Sequence, residues 1–211
     1  MKITKTKKNY FLKSSEDYFN KYKKNRLSFL KRKQKFFYEI SFFLNKCIHN
    51  SKRTLFFCCG NSIVSNYVNA KEKFIHEINK SFAKNNKIKK VIDKKFINSC
   101  DHIVITDTEH QKDLLASLHF IEKNLNDNCR IILVSKSLIW MTIINFFRKN
   151  LLNQKLYKTN FLPFKDLKEI FFNQKLELIR NEKIIIFPFA FPLINSILNT
   201  LCRLPILNFF C

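Results

Sequence analysis

The chain has 211 residues, 39 Lys+Arg against 16 Asp+Glu for a formal net charge of +23, 46% hydrophobic residues and a single glycine. The hydrophobic share excludes a wholly disordered basic tail, and no run of about 18 apolar residues exists to build a membrane-spanning helix. With one glycine, Gly60, any function that needs a glycine-rich loop starts at a disadvantage.

Residues 1–14 read as a flexible basic arm, residues 15–50 as a helical cap and residues 51–211 as the main domain. The Lys-rich start is not followed by an apolar run with a small-residue cleavage site, so no secretory signal is expected. Residues 1–53 hold 16 Lys+Arg and 3 Asp+Glu, more than half of the net charge. Two readings of this charge stand side by side. Lys, Asn, Ile and Phe are abundant and share codons rich in A and T, so composition alone raises lysine; alternatively the segment makes a weak contact with RNA or an anionic membrane.

From Ser15 a helix is predicted, with Glu16 and Asp17 near its start where negative charge is favoured. Phe29, Leu30, Phe36, Phe37, Ile40, Phe43 and Leu44 follow i, i+3, i+4, i+7 spacing, so a second helical stretch presents one apolar face, to a core or to a membrane interface. Thr54-Leu55-Phe56-Phe57-Cys58 is a buried strand that stops at the turn Gly60-Asn61-Ser62. Tyr67-Val68-Asn69 is a short strand candidate, and residues 71–85 carry a helical pattern through Phe74, Ile75, Ile78 and Phe82. His102-Ile103-Val104-Ile105-Thr106 is the next strand. Leu114, Leu118, Ile121 and Leu125 form one helical face, residues 130–134 another strand, and residues 139–147 and 166–172 two more helices. Residues 176–179 and 184–187 flank Arg180-Asn181-Glu182-Lys183 as an antiparallel hairpin. Alternating apolar strands and helices predict an α/β fold, a doubly wound and mostly parallel sheet, with ligands beyond the carboxyl ends of its strands.

The seven cysteines (Cys47, Cys58, Cys59, Cys100, Cys129, Cys202 and Cys211) are odd in number and lack a C-x-x-C pair. They read as reduced thiols of a cytoplasmic protein. The five histidines show no ligand spacing either, and no metal is expected.

The order of elements resembles the class I S-adenosylmethionine-dependent methyltransferases, closest to the bacterial type found beside glycosyltransferases. Thr54-Leu55-Phe56-Phe57-Cys58-Cys59-Gly60-Asn61-Ser62 stands where that family has its first strand and glycine-rich loop. Asp101-His102-Ile103-Val104-Ile105-Thr106-Asp107-Thr108 resembles its fourth strand. Arg130-Ile131-Ile132-Leu133-Val134, with Ser135 and Trp140, resembles its fifth. Asn160-Phe161-Leu162-Pro163 with Asp166-Leu167, and Phe187-Pro188 through Pro192-Leu193-Ile194 to Leu204-Pro205, resemble its tail. The similarity covers residues 15–211 and implies a Rossmann-like sheet ending in a hairpin.

It further implies S-adenosylmethionine as cofactor and methyl transfer to a small-molecule or glycan-type acceptor, by in-line displacement that rests on positioning and exclusion of water. Phe57, Cys59, Gly60 and Asn61 fall at the cofactor loop, Asn69 near the acid that ends the second strand and binds the ribose, and Asp93 near the acid beside the adenine. Asp107, at the end of a strand where acceptors bind, and His110, three residues on, are the catalytic candidates; Asp107 is equally suited to cap the helix after it. Trp140 and Asn160 shape or support the acceptor pocket. The chain departs from the pattern at Phe56, which replaces the first-strand acid, and at Cys58 and Ser62, which replace two glycines. Those departures support a second reading, a degenerate relative that serves as a binding module and contacts RNA or an anionic membrane through its basic arm.

If the arm makes that contact, deleting residues 1–14 weakens binding to RNA or anionic vesicles and flattens the slope of log K against log salt, because fewer counterions are released. A slope unchanged by the deletion would assign the charge to composition.

Overall fold

The structure, a computed structural model, describes residues 34–48, 50–58, 62–77, 94–111, 113–136, 141–142, 145–146, 162–182 and 197. In chain order these build α1 (Gln34–Cys47), β1 (Arg53–Cys58), a 3-10 helix (Ser62–Tyr67), β2 (Glu72–Glu77), α2 (Lys94–Asn98) and β3 (His102–Ile105). A short 3-10 turn (Thr108–His110), α3 (Leu114–Glu122), β4 (Arg130–Leu133) and α4 (Phe164–Asn173) complete the order. The four strands form one parallel sheet in the order β2-β1-β3-β4. The chain is therefore an α/β protein. Arg53 lies opposite Glu72, Thr54 opposite His102 and His102 opposite Arg130, so all four strands point the same way and end together.

Side chains alternate between the two faces of a strand, and here both faces are covered. On one face Phe56, Ile75 and Val104 pack with Phe37, Leu44 and Ile48 of the α1 segment and with Val64 and Val68. On the other, Leu55, Phe57, Ile103 and Ile105 pack with Ile97 of α2, Leu114, Leu118 and Ile121 of α3, and Leu167 of α4. The apolar stripe of α1 is thus core and part of the sheet's own layer. Asn45 fastens it: its Nδ2 donates to the Tyr67 carbonyl at 3.1 Å and its Oδ1 accepts from Asn69 N–H at 2.7 Å.

Three sequence expectations are corrected. Tyr67-Val68-Asn69 is not a strand; Tyr67 closes the 3-10 helix, whose Val64 packs with Val68 beneath α1. Residues 72–77, expected to be helical, form β2. Phe74 and Ile75 pack into opposite core layers, and a strand buried on both faces carries no period-2 signature to tell it from a helix. The β1-to-β2 connection is consequently the thirteen residues 59–71, enough for a parallel crossover. Residues 176–179, expected as one hairpin arm, belong to no strand, and the other arm lies outside the described residues. No helix among the described residues is long and apolar enough to cross a membrane.

The amino ends of the central strands are tied by Asp101. Its Oδ2 accepts from Lys52 N–H at 2.7 Å and Arg53 N–H at 2.9 Å, while its own N–H donates to the Arg53 carbonyl at 3.0 Å. The Arg53 and Lys52 backbone bonds outweigh burial and hold the Asp101 carboxyl below its ordinary pKa. This carboxylate matters more than the cross-strand ion pair Arg53–Glu72 (2.9 Å), whose side chains are about half exposed. An exposed pair contributes about 0.5 kcal/mol, a carboxylate on two backbone donors about twice that or more.

The sheet makes the fold acid-sensitive. Burial lowers His76, whose ring lies 4.7 Å from that of Phe57, from 6.5 to about 4, and burial lowers His102 as well. Both bind protons more weakly folded than unfolded, so the unfolded chain takes up more protons as pH falls. Thermal melts should show stability intact above about 6.5 and declining towards about 4. The lowered Asp101 adds its loss only at still lower pH. His76→Leu should remove most of the decline in the upper window; an unchanged profile would move its cause elsewhere.

Candidate functional site

The carboxyl ends of β1 and β3 are where the described side chains become chemically unusual. The β1–β3 ladder runs one residue past β3: Thr106 N–H donates to the Phe57 carbonyl at 3.0 Å, and Val134 N–H donates to the Ile105 carbonyl at 2.9 Å on the β4 side. The chain then turns at Asp107, which holds the left-handed conformation (φ 58°, ψ 44°). For a residue with a Cβ this costs roughly 1 kcal/mol, though aspartate tolerates it better than most. The turn launches the 3-10 segment, in which side chains three apart eclipse. Asp107 and His110 are brought together that way, with Glu109 between them.

All three side chains are buried: Asp107 is 4% exposed, Glu109 2% and His110 3%. One carboxylate oxygen from each acid and one imidazole nitrogen lie within 4.8 Å of one another. Thr106 Oγ1 donates to Asp107 Oδ2 at 3.2 Å, and His110 Nε2 stands 3.9 Å from Glu109 Oε1. From the loop after β4, Lys136 Nζ reaches the same Glu109 Oε1. Burial pushes the Glu109 pKa up, but the Lys136 ammonium and then His110 outweigh it and hold the acid ionised below its ordinary value. Its second oxygen, Oε2, is buried without a hydrogen-bond partner among the described residues.

The helix-cap role open to Asp107 is not taken by its side chain, which makes no cap hydrogen bond. Asp113 does that work for α3, accepting from Ala116 N–H at 2.8 Å. The strain at Asp107 is instead spent on presenting a carboxylate inside the sheet's end.

The other sequence candidates divide clearly. Asn69 lies in the turn before β2, bonded to Asn45, and not at a strand end; the acid that closes β2 is Glu77, opposite Cys58 at the end of β1. Phe57 is a core side chain against His76. Cys59, Gly60, Asn61, Asp93, Trp140 and Asn160 lie outside the described residues. Cys100 and Cys129 are free thiols pushed by burial to about 11 and about 12, protonated and inert at neutral pH, and they stand apart from the cluster. Sequence reasoning passed over Glu109 as a bystander and missed Lys136 and Glu77 altogether. The chain matches no protein-family model and no curated protein sequence.

Lys136 is 40% exposed on its side chain, so its pairing energy is partly screened. Lys136→Met leaves Glu109 buried without that cation and should cost about 2 kcal/mol at neutral pH. With the opposing charge gone, burial raises the Glu109 pKa, so the loss should shrink as pH is lowered and the acid protonates. Chemical denaturation at pH 7.5 and 5.5 measures both; a double variant with Glu109→Gln should recover most of the stability at pH 7.5.

Proposed function

We propose that the chain binds S-adenosylmethionine over the carboxyl ends of β1 and β2 and transfers its methyl group to a small-molecule or glycan-type acceptor held over β3 and β4. One observation carries this reading. The parallel order β2-β1-β3-β4 reverses direction between β1 and β3, and the buried Asp107–Glu109–His110 cluster sits at that reversal. Open α/β sheets take their ligands in the crevice outside the strand ends at such a point.

Glu77 adds support. The methyltransferase resemblance asks for an acid at the end of the second strand to accept hydrogen bonds from the ribose hydroxyls, and Glu77 closes β2 beside the end of β1. It takes the role first assigned to Asn69. The thirteen-residue crossover likewise fits a Rossmann-like unit better than the few residues read from the sequence. On the acceptor side Asp107 orients the attacking hydroxyl and His110 receives its proton as the sulfonium methyl moves to the oxygen, leaving S-adenosylhomocysteine.

Calorimetric titration of the full chain with S-adenosylmethionine and S-adenosylhomocysteine should give one site per chain, with thermal stabilisation that grows with ligand concentration. Glu77→Ala should weaken binding about tenfold or more through loss of charged hydrogen bonds. Gly60→Arg should abolish it while leaving the far-ultraviolet spectrum unchanged. Absence of both heat and stabilisation in the unmodified protein would discard the enzyme reading and leave a binding module on the same sheet.

A further inference from the structure

We propose that Asp107, Glu109 and His110 form a binding site for one divalent cation, and that Lys136 is the side chain displaced when the ion enters. The donor set is two carboxylates and one imidazole, each buried to more than nine-tenths, with ligand atoms within 4.8 Å of one another. Donors around a transition ion sit about 2.0–2.2 Å from it, so facing pairs stand roughly 3–4.4 Å apart and only small side-chain rotations close the set. Buried carboxylates are not kept together for stability alone, because each costs several kcal/mol to desolvate without a compensating charge.

Two independent features point to an ion at this place. The first is Glu109 Oε2, a carboxylate oxygen that is buried and without a hydrogen-bond partner among the described residues. A structure does not ordinarily leave such an atom unsatisfied. The second is the position of Lys136. Its ammonium touches Glu109 Oε1 at the rim of the cluster, from a side chain that is still 40% exposed. This lysine is the counter-charge that the ion replaces.

One imidazole with two carboxylates suits Mn²⁺, Fe²⁺ or Zn²⁺ better than Ca²⁺, which takes six to eight oxygens. Three protein donors leave coordination positions for water or for an oxygen of the acceptor. His110 is a ligand when the ion is bound, and the proton-accepting role proposed above belongs to the ion-free chain. The site stands on these side chains alone and needs no methyl donor, so its failure and that of the methyltransferase reading are separately visible.

The test uses the full chain stripped with chelator and titrated with Mn²⁺, followed by the electron paramagnetic resonance signal of the free ion, with Zn²⁺ in competition. One Mn²⁺ per chain, displaced by Zn²⁺, is expected without any S-adenosylmethionine present. Asp107→Asn, Glu109→Gln and His110→Ala should each weaken binding by more than about 100-fold, beyond the effect usual for an outer-shell partner. Lys136→Met should tighten it about tenfold, and Mn²⁺ should restore the stability that this variant loses. One ion bound by the unmodified chain, lost in each of the three ligand variants, is what separates a ligand set from a merely structural acid cluster. No binding by the unmodified chain overturns the proposal, whether or not Lys136→Met takes up the ion. So does binding that survives Glu109→Gln and His110→Ala, since the ion then sits elsewhere.

Discussion

The pairing of β1 with β3 sets everything else in this molecule. Both strands are interior to the sheet and covered on both faces, so each is apolar almost throughout and neither can slip in register without moving two core layers at once. Phe56 and Phe57, adjacent in sequence, are committed to opposite layers, and the same holds for Val104 and Ile105. Once that register is fixed, the residue after each strand is fixed too. Thr106 is drawn into the ladder by the Phe57 carbonyl, and Asp107 must then leave the sheet in a sharp turn.

The two ends of the sheet use charge in opposite ways. At the amino end Asp101 is partly solvated, and its carboxylate is satisfied by two backbone donors, so it acts as a clasp. At the carboxyl end the acids are buried, close to one another and balanced from the rim by Lys136. The first arrangement lowers the energy of the folded chain at small electrostatic cost. The second raises it, and persists only because the surrounding strands over-determine the backbone. Buried charge thus gathers at the carboxyl end, while a partly solvated clasp holds the amino end.

The sequence made the strands of the right half legible. His102-Ile103-Val104-Ile105 and Arg130-Ile131-Ile132-Leu133 are apolar runs bounded by polar residues, and α3 shows its face in Leu114, Leu118 and Ile121. The left half was harder. In Glu72–Glu77 the apolar pair Phe74-Ile75 is too short to declare a period, and in the sequence it joins Ile78 and Phe82, outside the described residues, in a helical spacing. That misreading displaced the second strand and with it the acid at its end. Asp107 and His110 could be selected from the sequence because one closes a confident strand and the other follows at three residues. Glu109 could not, since a carboxylate pointing inward depends on a backbone turn and on a lysine some 27 positions away.

The shortage of glycine has a consequence for the backbone. Among the described residues, three left-handed positions are held by side chains that carry a Cβ: Asn50, Asp107 and Lys175. Asparagine and lysine are spelled with adenine-rich codons, whereas glycine requires two guanines. At these bends polar residues stand where glycine alone would sit without steric conflict. At Asn50 and Lys175 the exchange looks like simple accommodation. At Asp107 the same accommodation placed an ionisable group where glycine could have offered none.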